Sequence, residues 1–132
     1  MDEPAVTQKQ SYRLPLPPHA IASRQAHEVL KWAFSGWRVK GTAADDSHVV
    51  LSELVTNALT HSMDVFTLTL NLHKDRVLIE VWDCTDVVPE VRIPDDDAVD
   101  GRGMFMVDTL TKEWGVRHEE QGGKTVWATI PL

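Results

Sequence analysis

Two stretches of the chain repeat apolar residues at steps of three and four, the spacing that predicts an amphipathic helix. The first covers residues 21–34 and the second covers residues 48–62. The apolar stripe of the second helix consists of Leu51, Leu54, Val55, Ala58 and Leu59. Just upstream, Thr42 and Asp45 have the spacing of a capping pair, a hydroxyl that accepts a free amide hydrogen and a carboxylate in the first turn. We predict that the domain is organised around this second helix.

Four other segments are predicted as strands, the first of which alternates apolar and polar residues with a period of two, the mark of a half-buried strand. They are residues 66–72, 77–82, 114–118 and 125–130. The first two are joined by the polar turn 73–76 and the last two by Gly122 and Gly123, so each pair predicts a hairpin. Residues 12–18 also alternate, but their prolines lack amide hydrogens, and either an edge strand or an extended arm fits them.

The remaining segments complete the order of elements. Residues 83–100 are rich in proline and aspartate and predict a long loop, with or without a brief strand, and loops of this length are usually functional. Residues 101–110 begin with glycines and continue as a short helix. The βαβ alternation of a parallel sheet is absent, so the fold predicted is α+β: a two-layer sandwich with a mostly antiparallel sheet and helices on one face. Residues 1–10 are expected to be a flexible tail, and residues 11–132 one domain.

Composition narrows the classes of partner. The chain has 132 residues, and its net charge of −7 argues against direct nucleic-acid binding, for which a basic face is expected. No apolar run is long enough for a bilayer, and the N-terminus lacks the order of a signal peptide, so no membrane association is expected. The single cysteine, Cys84, excludes an internal disulfide and favours a reducing, cytoplasmic location.

The central helix carries candidate chemistry on a second side. Glu53 and Asn57 are one turn apart and project from one face, with His61 close to the same line. A carboxylate and a carboxamide placed in this way supply the oxygen ligands that hold a water molecule and a hard metal ion. The alternative is a solvated helix side, and for His61 a structural helix-end histidine.

Three further features could form a ligand site. Asp83 ends a strand, where its carboxylate could accept a hydrogen bond from an exocyclic amine or could simply cap a turn. Gly101 and Gly103 open a helix, where free amides favour a phosphate, although a hinge fits equally well. The hydroxyl of Thr125 follows a tight turn and could reach a ligand at the end of the sheet.

Taken in order, these motifs resemble the ATP-binding fold shared by gyrase, the ninety-kilodalton chaperone, histidine kinases and MutL, the Bergerat-type fold. The resemblance covers residues 14–132 and rests on Glu53-Leu-Val-Thr-Asn57, Asp83, Gly101-Arg-Gly103-Met104 and Gly123-Lys-Thr-Val-Trp127. Within this superfamily the chain looks most similar to the anti-sigma-factor serine kinases, especially the small stand-alone regulators abundant in actinomycetes.

The resemblance implies a role for each position. Glu53 would be the general base, Asn57 the Mg²⁺ ligand, and Asp83 the residue that reads the adenine amine. The glycine motif would bind the phosphates of ATP, Thr125 would support the adenine end, and residues 86–100 would form the ATP lid. The cofactor-binding residues expected are Asn57, His61, Asp83, Gly101, Arg102, Gly103, Met104 and Thr125.

The implied function is an ATP-dependent protein-serine/threonine kinase that phosphorylates an anti-sigma-factor antagonist and sequesters a sigma factor, expected as a homodimer. Where the superfamily has the pattern Asp-x-Gly-x-Gly, this chain has Asp83-Cys-Thr-Asp-Val87, which lacks both glycines. Glycine permits close approach that a Cβ resists. The alternative is therefore a non-catalytic module with weak nucleotide binding that sequesters a sigma factor or another regulator. A detached ATP-binding half of a histidine kinase is a third hypothesis, which the lack of a preceding phosphoacceptor helix pair disfavours.

Overall fold

The structure, a computed structural model, describes residues 10–89, 91 and 102–132. Helices and strands follow one another along these residues as β1 (Ser11–Leu16), α1 (Ile21–Trp37), α2 (Thr42–His61), β2 (Phe66–Leu72), β3 (Arg76–Asp83), α3 (Arg102–Leu110), β4 (Glu113–His118) and β5 (Lys124–Pro131). The predicted α+β class is confirmed.

The strands form one sheet in the order β1-β2-β3-β5-β4, and every described pair is antiparallel. Both predicted hairpins, β2–β3 and β4–β5, are present. β1 pairs with β2 along its whole length and lies at the edge of the sheet, so the proline-containing segment is an edge strand. The central position of β3, between β2 and β5, brings its C-terminal end beneath the helices.

The core lies between the helices and one face of the sheet. On that face the apolar rungs of β3 and β5 face each other as Val77 with Ile130, Ile79 with Ala128, and Val81 with Val126. Helix α2 packs over β3 and β5, and α1 packs over β1 and β2. The buried apolar residues of the two helices are Ala22, Ala26, Leu30, Ala33, Phe34, Trp37, Val50, Leu51, Leu54, Val55 and Ala58. The helix and strand periods read from the sequence therefore point their apolar residues into one shared core.

The predicted cap of the central helix is wrong. Thr42 is already the first residue of α2, and Gly41 is the N-cap, with φ of 69° and no side-chain hydrogen bond. The carbonyl oxygen of Gly41 accepts the amide hydrogen of Asp45 at 3.0 Å. Glycine adopts positive φ at little cost, so backbone conformation starts this helix. The predicted first-turn carboxylate, Asp45, is confirmed.

Other boundaries shift by a few residues. α1 continues past Phe34 to Trp37, and β5 begins one residue earlier than predicted, at Lys124. The brief strand left open within residues 83–100, most of the predicted lid and Gly101 lie outside the described residues. None of the helices in the described part of the chain combines the length and apolar character that a bilayer span requires.

Candidate functional site

The first part of the candidate site lies on α2. Glu53 and Asn57 are half-buried on this helix, while Leu54, Val55 and Ala58 beside them point into the core. Burial raises the pKa of the Glu53 carboxyl above its usual value, because desolvation disfavours the charged form. A carboxyl group with a raised pKa is a better proton acceptor when ionised, which suits a general base.

Two polar atoms on the same side of α2 lack partners. The Oδ1 atom of Asn57 and the Nδ1 atom of His61 are buried, and among the described residues neither has a hydrogen bond. A buried polar atom without a partner typically costs about 1–3 kcal/mol, so each such atom calls for a partner such as a water molecule, an ion or a ligand. Because Asn57 and His61 are four residues apart in the helix, both atoms lie along one line with Glu53.

The start of α3 packs against the side of α2 that carries Glu53. A Cβ placed on Gly103 would overlap the Oε2 atom of Glu53, so the α3 backbone approaches the carboxylate as only glycine permits without displacing it. Met104, the next residue, is buried in the core and fixes the first turn of α3. Arg102 begins the helix. The structure thus brings Gly103 to Glu53, one turn of α2 before Asn57, and sets the N-terminal end of α3, where amides favour anions, against the Glu53 side chain.

Asp83 lies at the end of β3, one rung beyond the last apolar pair of the inner face. Opposite it on β5 is Lys124, whose Nζ donates hydrogen bonds to Asp83 Oδ1 at 2.9 Å and Oδ2 at 2.7 Å. The amide and hydroxyl of Thr85 also donate to Oδ1, at 2.9 and 2.8 Å. The Asp83 and Lys124 side chains are 1% and 0% exposed, so this is a fully buried ion pair.

Gly123 lets the C-terminal end of β3 and the start of β5 pack closely. Its φ is 79°, and a Cβ there would overlap the carbonyl oxygen of Asp83 and approach the Cα of Cys84 to 3.0 Å. The end of α2 also reaches this corner, where Ser62 Oγ lies 3.7 Å from Cys84 Sγ. The predicted tight turn at Gly122 and Gly123 is present, with positive φ at both residues.

Thr125 is not brought to Asp83. It pairs with Trp82, so its side chain lies on the opposite face of the sheet, where its hydroxyl donates to the Glu119 carboxylate. There it lines a groove of about 420 Å³. The residue that shares a face with Asp83 is Lys124, which we did not predict. The alternation of Val126, Ala128 and Ile130 is the signal that could have found it, since even-numbered positions of β5 face inward.

With this geometry known, comparison with other proteins identifies the family. A family model described as a histidine kinase-like ATPase domain matches residues 16–130, most of the chain. The chain belongs to this family. No curated protein matches the chain.

One solved structure similar to this histidine kinase-like ATPase domain is that of the RsbU and RsbW domains of Rv1364c from Mycobacterium tuberculosis, with a TM-score of 0.71 and 20% sequence identity. The match covers 92% of this chain and 32% of the other, so this chain spans about a third of that protein chain. At this identity the likeness shows the fold.

The α2 residues fit the metal that accompanies nucleotide in such ATPases. Mg²⁺ prefers oxygen ligands, keeps several waters and uses few protein groups, and Asn57 Oδ1 is a buried oxygen without a partner among the described residues. Nearby, the half-buried Glu53 carboxyl can accept a hydrogen bond from a metal-bound water or a substrate hydroxyl. The described residues contain no group of three or more His, Cys, Asp or Glu side chains that would hold a metal by themselves. A magnesium ion shared with nucleotide phosphates suits this sparse set.

Proposed function

We propose that this chain binds Mg-ATP and transfers the terminal phosphoryl group to a serine or threonine of an anti-sigma-factor antagonist. The observation that carries the proposal is the close approach of Gly103 in α3 to the Glu53 carboxyl, one helical turn from Asn57, whose buried Oδ1 has no partner among the described residues. Phosphoryl transfer depends mainly on positioning and charge stabilisation, and these groups supply both.

In this mechanism each residue acts on an atom of the substrates. Glu53 orients the attacking hydroxyl and accepts its proton, and its raised pKa suits this task. Asn57 Oδ1 would hold Mg²⁺, and a magnesium ion there would supply positive charge to stabilise the phosphates. The backbone at Arg102 and Gly103 offers amides of the α3 N-terminal end to the phosphates. Asp83 marks the base end of the site.

The partners proposed are a sigma factor and an antagonist protein, with the chain acting as a homodimer in the cytoplasm. The similarity of fold to a structure that contains an RsbW domain supports this partner class. The net charge of −7 is compatible with a basic partner surface. The sigma factor would be sequestered by the kinase when the antagonist is phosphorylated and cannot compete for it.

The experiment is a phosphoryl-transfer assay with labelled Mg-ATP and the antagonist proteins encoded near this gene. Wild-type protein should label one of them, and Glu53→Gln should lose about 100-fold or more of the rate, the usual contribution of a general base. Glu113→Gln, an exposed change on β4, is the matched control and should retain the rate. Transfer that Glu53→Gln leaves intact would refute the assigned role of Glu53, and transfer to no antagonist would refute the kinase.

A second function has its own supporting observation. The buried Asp83–Lys124 pair occupies the carboxylate that would bind adenine, which favours a module that sequesters its partner with weak or no use of nucleotide. The two functions differ in their dependence on ATP. If a purified sigma factor binds equally well with and without Mg-ATP, and equally to Asn57→Ala, the sequestering module is the better description. Binding that requires nucleotide supports the kinase.

A further inference from the structure

Asp83, Thr85 and Lys124 form a cluster in which all three hydrogens of the Lys124 ammonium are used. The Asp83 carboxylate accepts four hydrogen bonds, two from Lys124 Nζ and two from the amide and hydroxyl of Thr85. A carboxylate has about four such positions. The ammonium of Lys124 has three hydrogens, and its third contact is Thr85 Oγ1 at 3.1 Å. Three of the four bonds fall on Oδ1 and one on Oδ2, so the ammonium has no free donor, and the acceptor position left on Oδ2 belongs to a side chain that is 1% exposed.

The cluster is also closed to approach. Asp83 is 1% exposed and Lys124 is 0% exposed. Gly123 packs directly on the backbone of Asp83 from the β5 side. An exocyclic amine could reach the carboxylate only by displacing the Lys124 ammonium, which would then be a buried charge without a partner. Such displacement is strongly unfavourable, since it leaves one member of a buried ion pair as an uncompensated charge.

We propose that Lys124 is a specificity-determining residue: by occupying Asp83, it makes the site bind a nucleoside triphosphate through its phosphates and sugar, without reading the exocyclic amine of the base. This inference rests on the proposed nucleotide-binding function. Thr85 stands at the first glycine position missing from the Asp-x-Gly-x-Gly pattern, and its hydroxyl completes the cluster. The missing glycine and the unpredicted lysine are thus parts of one arrangement.

The test compares two triphosphates by calorimetric titration with Mg²⁺ present. One is ATP, and the other is purine riboside triphosphate, which lacks only the amino group at position 6. We expect wild-type protein to bind the two with affinities that agree within about threefold, a difference well under the effect of one charge-assisted hydrogen bond. Because it needs no substitution, this measurement is independent of any loss of folding.

The Lys124→Ala variant should release the carboxylate and create the missing discrimination. We expect it to prefer ATP over the analogue by about tenfold or more, the effect of a hydrogen bond to a charged group. Thr85→Ala keeps the ion pair that blocks the carboxylate, so it should bind the two triphosphates within about threefold of each other, as wild type does. Lys112→Ala, an exposed change, is the matched control and should behave as wild type. Far-UV circular dichroism checks the fold of each variant.

The outcomes separate this inference from the proposed function. If wild type already prefers ATP by about tenfold or more, or if folded Lys124→Ala still binds both triphosphates equally, the role of Lys124 is refuted while nucleotide binding stands. If neither triphosphate binds to wild type or to any folded variant, the proposed function fails and this inference fails with it. If ATP binds only after Lys124→Ala, Lys124 excludes nucleotide from the wild-type site, and both this inference and ATP binding by the wild type are refuted.

Discussion

The Asp83–Lys124 pair makes a prediction about stability that is separate from binding. Replacing Lys124 with methionine keeps most of the side-chain volume but removes the ammonium, and the Asp83 carboxylate is then left at 1% exposure with only the Thr85 donors. Removing one partner of a buried pair typically costs about 3–5 kcal/mol. Since a domain is usually stable by about 5–15 kcal/mol, this single change would remove a large part of the stability.

The magnitude can be isolated with a double-mutant cycle. Asp83→Asn alone leaves the Lys124 ammonium buried without a counter-charge, so it should cost about as much as Lys124→Met alone, about 3–5 kcal/mol. The double variant contains no buried charge at this rung, and the carboxamide oxygen introduced by Asp83→Asn can still accept the Thr85 hydrogen bonds. We therefore expect the double variant to lose only about 1–2 kcal/mol, the usual net worth of hydrogen bonds given up.

The assay is urea unfolding followed by far-UV circular dichroism for wild type, both single variants and the double variant. The denaturation midpoint should fall strongly in each single variant and recover in the double variant, with an unchanged slope. The coupling free energy should be about 3 kcal/mol or more, well above the roughly 0.5 kcal/mol within which independent sites add. Additive effects would refute the argument, because they would mean that neither charge depends on the other.

Three further predictions concern other parts of the fold. The His27 and His48 rings share a hydrogen bond of 2.8 Å, and burial is the main cause that lowers the pKa of both. Their contribution to stability is therefore present above the unfolded pKa of about 6.5 and is lost as pH falls through the lower folded pKa. His48→Gln should flatten the fall of the urea midpoint between about pH 7 and 5, and an unchanged profile would contradict this. Gly123→Ala should lower the melting temperature strongly, because φ of Gly123 is 79° and the new methyl group would overlap the backbone of Asp83. Gly36→Ala is the control, since the space around Gly36 is open, and it should not lower the melting temperature. Similar melting temperatures for the two variants would count against the packing described. The rate of phosphoryl transfer should rise with pH through a midpoint above the usual pKa of a glutamate carboxyl, because burial raises the pKa of Glu53. A midpoint at the usual pKa would contradict the role of Glu53 as the base.

Periodicity determined the elements because it is a local property. The steps of three and four in α1 and α2, and the alternation in β2, needed no knowledge of the partner segments. The same patterns brought Glu53 and Asn57 to one side of a helix, since residues one turn apart share a face in any α-helix. The family resemblance added the roles expected of these residues, and the match to a histidine kinase-like ATPase domain supports the predicted superfamily.

Boundaries were less well determined, because ends depend on backbone geometry that side-chain patterns do not report. The start of α2 was assigned to capping by Thr42, whereas the positive φ of Gly41 makes that glycine the N-cap. A threonine near a helix start has the composition of a cap whether it lies at the cap or one residue inside the helix, so the sequence could not separate the two.

The tertiary structure alone decided which distant residues meet. His27 on α1 and His48 on α2 are 21 residues apart, and Asp83 and Lys124 are 41 residues apart, yet each pair is in hydrogen-bond contact. The order of strands places β3 beside β5, and the register of that pairing sets Lys124, and not Thr125, opposite Asp83. A shift of one residue reverses the face of every side chain in a strand, so the identity of the group that meets Asp83 follows from long-range register, which the burial of one whole apolar face determines.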